Sequence, residues 1–169
     1  MLQRLGAETL STDEVVRQLY GHDDEVRTAV LERFGTLAPG ELAQRAFATP
    51  EDRAWLEALL WPRVGAQMVE WREGLERAET PPKAAIVEVP LLFESGMEGA
   101  FDTTIAVVAD EATRAERAGA RGHQALAERT ARQLSQEEKA ERATFVVEND
   151  GTEQDLESKL SAILDMLGR

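Results

Sequence analysis

The sequence predicts an α/β fold: a parallel sheet flanked by helices and interrupted by a helical insertion. Three observations predict it. Short, branched, nearly continuous apolar runs recur along the chain, as strands buried on both faces of a parallel sheet do. Helical patterns lie between those runs, and that alternation belongs to α/β folds. The stretch from about Asp23 to Arg77 breaks the alternation and is helical throughout.

The elements follow in order. Leu5-Gly6-Ala7-Glu8-Thr9-Leu10 reads as a helix end, a glycine stop and a short strand. A helix follows from about Glu14. The helical stretch after Asp23 has turns near Gly35 and at Pro39-Gly40. Thr49-Pro50-Glu51-Asp52 starts its longest helix, with a capping threonine, proline in the first turn and acids near the positive helix end. Ala84–Val89 is the second strand, after the Pro81-Pro82 break, and Thr103–Val108 is the third. Ser135-Gln136-Glu137-Glu138 has capping-box spacing. Thr144–Val147 is the last strand, and Asn149-Asp150-Gly151 is its turn signal. Thr152 with Asp155 starts a final helix, apolar at Leu156, Leu160, Ile163, Leu164 and Leu167.

Composition narrows the function classes. With 169 residues, 43% hydrophobic and 30% charged, the chain is long enough for one domain with a real core. It has no cysteine, which excludes a disulfide scaffold, thiol catalysis and cysteine-ligated metal. His22 and His123 lack zinc-ligand spacing. A formal net charge of −13 repels nucleic acid and anionic membrane. No apolar run approaches the roughly 20 residues of a membrane span, and the N-terminus lacks the apolar core of a signal peptide. The expected location is the cytoplasm. Oligomeric state is not legible.

Four stretches carry a family resemblance. They are Leu5–Arg17, with Ser11-Thr12-Asp13 ahead of Arg17; Phe47–Glu51 through Leu56–Pro62; Val87-Glu88-Val89-Pro90-Leu91-Leu92-Phe93-Glu94-Ser95-Gly96; and the series Arg117, Arg121, Arg129, Gln133, Lys139 ending at Asn149-Asp150-Gly151. In order and spacing they resemble dephospho-CoA kinase, a P-loop kinase. The resemblance implies a P-loop NTPase-like three-layer parallel sheet, with dephospho-CoA and ATP as substrates and Mg²⁺ as cofactor. It implies a kinase core over residues 1–22 and 80–169, an Arg-rich lid over about 113–135, and a helical CoA-binding insertion over 23–79. The departures are Ser11 for the first Asp of the family's Asp-x-Asp, Trp61 for the His of its His-Pro pair, and Pro39-Gly40 for an Asp-Arg pair. No glycine is followed by lysine in the chain, so the family's G-x-x-x-x-G-K-[ST] loop is not found. On this reading the chain is expected to have lost a first strand, that loop and most of a first helix, roughly 20–30 residues, by a misassigned start or a real truncation.

The implied roles stand beside plainer readings of the same residues. Asp13 aligns with the catalytic aspartate, which accepts the proton of the attacking hydroxyl; as a bare pattern it is an N-cap for a helix starting at Glu14. Arg17, one helical turn on, reaches a substrate phosphate or holds Asp13, or else makes an exposed ion pair. Pro90, Leu92 and Phe93 form a pocket wall, or ordinary core. Glu94 orients substrate or a magnesium-bound water, or is solvated. Arg117 and Arg121 stabilise charge on ATP from the lid, or pair with Glu111, Glu116 and Glu128. Asn149 lies on the adenine side, or simply turns the chain. The competing function is a truncated, inactive kinase-like domain that binds dephospho-CoA or a protein partner.

Overall fold

A 3₁₀ turn, Leu2–Leu5, opens the chain and stops at Gly6, whose φ of 89° is the left-handed geometry that glycine adopts without strain. The computed structural model describes residues 1–120 and 133–167, with the side chains of 118–120 left aside. Contacts divide the chain into two units, one of Glu8–Val89 and one of Met1–Ala7 with Pro90–Arg169.

The first unit holds β1 (Ala7–Ser11), α1 (Thr12–His22), α2 (Asp24–Phe34), α3 (Pro39–Ala46), α4 (Pro50–Glu76) and β2 (Ala84–Glu88). β1 pairs with β2. The helices bury one apolar face each: Val15 and Leu19 from α1, Val26, Val30 and Phe34 from α2, Leu42 and Ala46 from α3, and Leu56 and Val64 from α4 form one core. The α2 cap is Asp23, which accepts from the Val26 N–H at 3.0 Å. Gly35, at φ 69°, closes α2. Pro39-Gly40, expected as a turn, opens α3 instead, because proline at the first helical position forfeits only an N–H that has no partner there. Thr49 caps α4 as expected, accepting from the Asp52 N–H at 3.0 Å. This helix runs through Pro62, and Arg63 beyond it reaches Glu25 at 2.9 Å and Asp23 at 3.4 Å. α4 is thereby tied to the start of α2.

The second unit holds β3 (Ile105–Val108), α5 (Glu111–Ala120), α6 (Gln136–Arg142), β4 (Phe145–Glu148) and α7 (Glu153–Leu167). β3 and β4 are parallel, with Ile105 opposite Phe145 and Val107 opposite Val147. Thr104 and Thr144 set that register, each backbone N–H donating to the other's hydroxyl at 3.2 and 3.0 Å. Val147 packs with Leu160 and Ile163 of α7 and with Leu2 and Leu5 of the opening turn. The expected burial of these strands on both faces is not met: Val107 is 54% and Val146 47% exposed. A two-stranded piece is too narrow for its helices to cover every position on both faces. The caps read from sequence are present. Ser135 and Glu138 form a full capping box, and Thr152 caps α7 with Asp155 answering. A β-carbon at Gly151 would lie 2.8 Å from the Asp155 carboxylate, so a side chain there would displace that capping group.

Among the described residues no helix is long and apolar enough to cross a membrane.

Candidate active site

The candidate residues fall into two groups, one in each unit. In the first unit the chain leaves β1 and enters α1 at Thr12, so Asp13 is the second residue of the helix rather than its cap. The helix starts earlier than the Glu14 read from sequence because Thr12 is drawn inward. It is 8% exposed and its hydroxyl donates to the Glu88 carbonyl at the end of β2, at 3.1 Å. That bond joins the ends of the two strands and sets where Asp13 begins. Asp13 itself is exposed, at the positive end of α1, and its carboxylate has no hydrogen-bond or ion-pair partner among the described residues. Replacing Thr12 with valine keeps the shape and removes the bond. The expected loss is about 1 kcal/mol, read as a lower unfolding midpoint.

Arg17 lies one turn along α1 from Asp13. It pairs with Glu14 at 2.9 Å rather than with Asp13, and the two side chains are 70% and 48% exposed. That pair is weak and easily exchanged for another anion.

In the second unit, the turn after β2 carries the apolar signature. Phe93 is buried at 6% exposure beneath the Arg142 guanidinium, which lies 5.1 Å from its ring centroid. Leu92 is half-buried and Leu91 is 41% exposed. The turn closes on itself through Ser95, whose hydroxyl donates to the Leu92 carbonyl at 2.9 Å, and through Gly96 at φ 68°. Glu94 is not solvated. One carboxylate oxygen, Oε1, accepts from Lys139 at 2.8 Å and from the Leu134 N–H at 3.0 Å. Burial pushes the Glu94 carboxyl up. The Lys139 hydrogen bond, its own backbone amide and the Leu134 amide outweigh that and hold it below the ordinary carboxyl value. Its pairing therefore stabilises the fold above an unfolded value of about 4.3 and loses that contribution as pH falls through the depressed folded value.

The loops beyond β3 and β4 are bound to each other. Arg117 donates to the Asn149 carbonyl at 2.7 Å, the Asn149 N–H donates to the Val108 carbonyl at 2.8 Å, and the Asp110 N–H donates to the Asp150 carboxylate at 2.7 Å. Arg117 thus meets the Asn149 backbone rather than Glu111 or Glu116, and Glu128 lies outside the described residues. The Thr113 backbone amide and hydroxyl hold the Asp110 carboxyl below its usual range. Arg121 lies outside the described residues.

Sequence reasoning gave no role in this group to four residues that organise it, although Lys139 stood in the family series and Gln136 in the capping box. Gln136 makes two hydrogen bonds with the Ala109 backbone, at 2.9 and 2.8 Å. Lys139, Arg142 and Glu98 join α6 to the turn after β2, with Arg142 paired to Glu98. The available signal was the i, i+3 spacing of Lys139 and Arg142 on a capped helix, matched by Glu94 and Glu98 four residues apart.

The family model described as dephospho-CoA kinase matches residues 1–155. The chain is 39% identical over 178 residues to a dephospho-CoA kinase of Deinococcus radiodurans, covering 99% of this chain and 84% of that protein. It is 33% identical to a dephospho-CoA kinase of Protochlamydia amoebophila, covering 99% of this chain and 87% of the relative. Among solved structures it is similar to TT1252 from Thermus thermophilus, with a TM-score of 0.79 and 35% identity over 98% of this chain and 87% of the other.

Proposed function

Because this chain belongs to the dephospho-CoA kinase family, we propose that it transfers the γ-phosphoryl group of ATP to the ribose 3′-hydroxyl of dephospho-CoA, giving CoA and ADP. The observation that carries this reading is the family match over residues 1–155, which spans Asp13, the Pro90–Glu94 turn and the Arg117–Asn149 contact. The finer fold assignment belongs to the same reading. It is a P-loop NTPase-like three-layer core over 1–22 and 80–169, a CoA-binding helical insertion over 23–79 and an Arg-rich lid over about 113–135. An open cleft of about 390 Å³ beside α1 and α4 is lined by Gln18, Leu19, His22, Asp23 and Gln67.

The roles follow from chemistry. As the 3′-oxygen bonds to the γ-phosphorus, the bridging oxygen leaves with ADP and the hydroxyl proton must depart. Asp13, unpaired and at the C-terminal end of a sheet strand, accepts it. Arg17, held only by an exposed pair to Glu14, turns to a phosphate of dephospho-CoA. Pro90, Leu92 and Phe93 wall the acceptor side, and Glu94 orients the substrate. Arg117, Arg121 and Asn149 serve the nucleotide. No glycine is followed by lysine in these 169 residues, so the phosphate contacts proposed here are limited to those arginines. Among the described residues no group of three His, Cys, Asp or Glu suits a metal ion. Mg²⁺ needs no such cluster, since it binds through one or two carboxylates plus substrate phosphates. When bound, Mg²⁺ neutralises phosphate charge. The net charge of −13 argues against a nucleic-acid partner. Drawing on ATP, the reaction is placed in the cytoplasm.

The test is ADP release by the full-length protein with and without dephospho-CoA. Release that depends on dephospho-CoA supports the reading, and release indifferent to it refutes it. Arg17→Ala is expected to raise the KM for dephospho-CoA about tenfold, the loss of one charge-assisted contact, while the unfolding midpoint stays within error. Initial rates against dephospho-CoA concentration check it.

A further inference from the structure

Helix α6 grips the turn after β2 at two points on one face. Lys139 holds Glu94, and Arg142 holds Glu98 while lying over the Phe93 ring. The helix is itself fixed at its start by the capping box and by the two hydrogen bonds between Gln136 and Ala109. It is therefore a rigid bracket rather than a loose surface helix.

The geometry within this bracket is asymmetric. Lys139 and Glu94 side chains are only 24% and 14% exposed. Oε1 of Glu94 accepts from Lys139 and from the Leu134 N–H, whereas Oε2 is buried and has no hydrogen-bond partner among the described residues. A buried carboxylate oxygen without a donor is costly and calls for an explanation; Oε2 of Glu98, in the same bracket, is likewise buried and unpartnered among the described residues. Lys139 also approaches the Pro90 carbonyl, at 3.5 Å, so one ammonium group restrains both ends of the Pro90–Glu94 turn.

We infer that Lys139 is a positioning residue: by fixing Oε1 of Glu94 and the Pro90 carbonyl, it presents Oε2 as a single acceptor for a hydroxyl of the acceptor substrate. This rests on the proposed function, which puts the turn on the acceptor side. Lys139 does not touch the substrate; it acts through Glu94. The charged groups about Glu94 among the described residues are Lys139 and, one turn along α6, Arg142 with its partner Glu98. Without the lysine, burial is less opposed, and the carboxyl rises toward protonation, which would turn Oε2 from acceptor to donor.

The experiment compares Lys139→Met, Lys139→Arg and the charge reversal Glu94→Lys with Lys139→Glu in the full-length protein. Calorimetry gives the Kd of dephospho-CoA and of ATP separately, and kcat/KM is followed against pH. Lys139→Met is expected to weaken dephospho-CoA about tenfold, leave ATP unchanged and move the acidic limb of kcat/KM to higher pH. Lys139→Arg is expected to recover most of the affinity. The charge reversal is expected to recover the unfolding midpoint but not dephospho-CoA affinity, since it moves the carboxylate to the other side of the pair. A charge reversal that restores affinity as well would overturn the inference by showing a merely structural bridge. So would Lys139→Met with unchanged affinity and pH profile. Should Lys139→Met not fold, the Lys139→Arg and charge-reversal affinities decide by the same criterion. If the unaltered protein neither binds nor phosphorylates dephospho-CoA, the proposed function itself fails, which is a different result from an unaltered protein that works and a Lys139→Met variant that matches it.

Discussion

Asp13→Asn is expected to lower kcat by about 10² to 10⁴ while leaving ATP affinity unchanged. Asparagine keeps the size and the hydrogen-bonding reach of the side chain but cannot take a proton. Asp13 lies two residues beyond the end of β1, is exposed, and has no side-chain partner among the described residues. Its backbone is set by the Thr12 bond to Glu88, which asparagine does not disturb. The unfolding midpoint should accordingly stay within error. Single-turnover rates at saturating ATP and dephospho-CoA check the effect on chemistry, and nucleotide titration checks binding. Undiminished turnover would remove Asp13 from the role of base.

Phe34→Ala is expected to destabilise the Glu8–Val89 unit by about 3–5 kcal/mol. Phe34 is 5% exposed in the helical core. Its ring meets Trp55 edge-on, with centroids 5.6 Å apart at 75°. The Arg33 guanidinium lies 4.9 Å from the Trp55 ring and donates twice to Asp52, at 3.0 and 2.8 Å. One corner of the core thus binds the end of α2 to the start of α4. Truncating Phe34 leaves a cavity and frees both neighbours. All three tryptophans, Trp55, Trp61 and Trp71, lie in α4, so tryptophan fluorescence during denaturant unfolding reports this unit. A chain of two units need not unfold in one step, and that selectivity makes the measurement interpretable. A fluorescence midpoint unchanged by Phe34→Ala would contradict the packing described.

Local rules made much of the fold readable. Thr49, Ser135 and Thr152 sit where capping chemistry puts them, because a cap depends on residues three apart. The strand runs were readable from their branched residues, but their exposure was not: Val107 and Val146 depend on what covers the sheet, which no local pattern encodes. Partners across long separations were equally hidden. Glu94 and Lys139 are 45 positions apart, and the Arg117 bond to Asn149 spans 32. Composition offered Arg117 several glutamates, and among the described residues it meets the Asn149 carbonyl. The family's motifs drew attention to Glu94, but only the geometry identified Lys139 as its counterpart, with Oε2 buried and unpartnered among the described residues.

The account stands or falls on where the phosphoryl group goes. The full-length protein, given ATP with γ-phosphate label and dephospho-CoA, is expected to yield one labelled product. Phosphorus and proton NMR should place the new phosphate on the ribose 3′-oxygen, with no labelled product when adenosine or a nucleoside monophosphate replaces dephospho-CoA. Label on another oxygen, or equal transfer to those simpler acceptors, would contradict it.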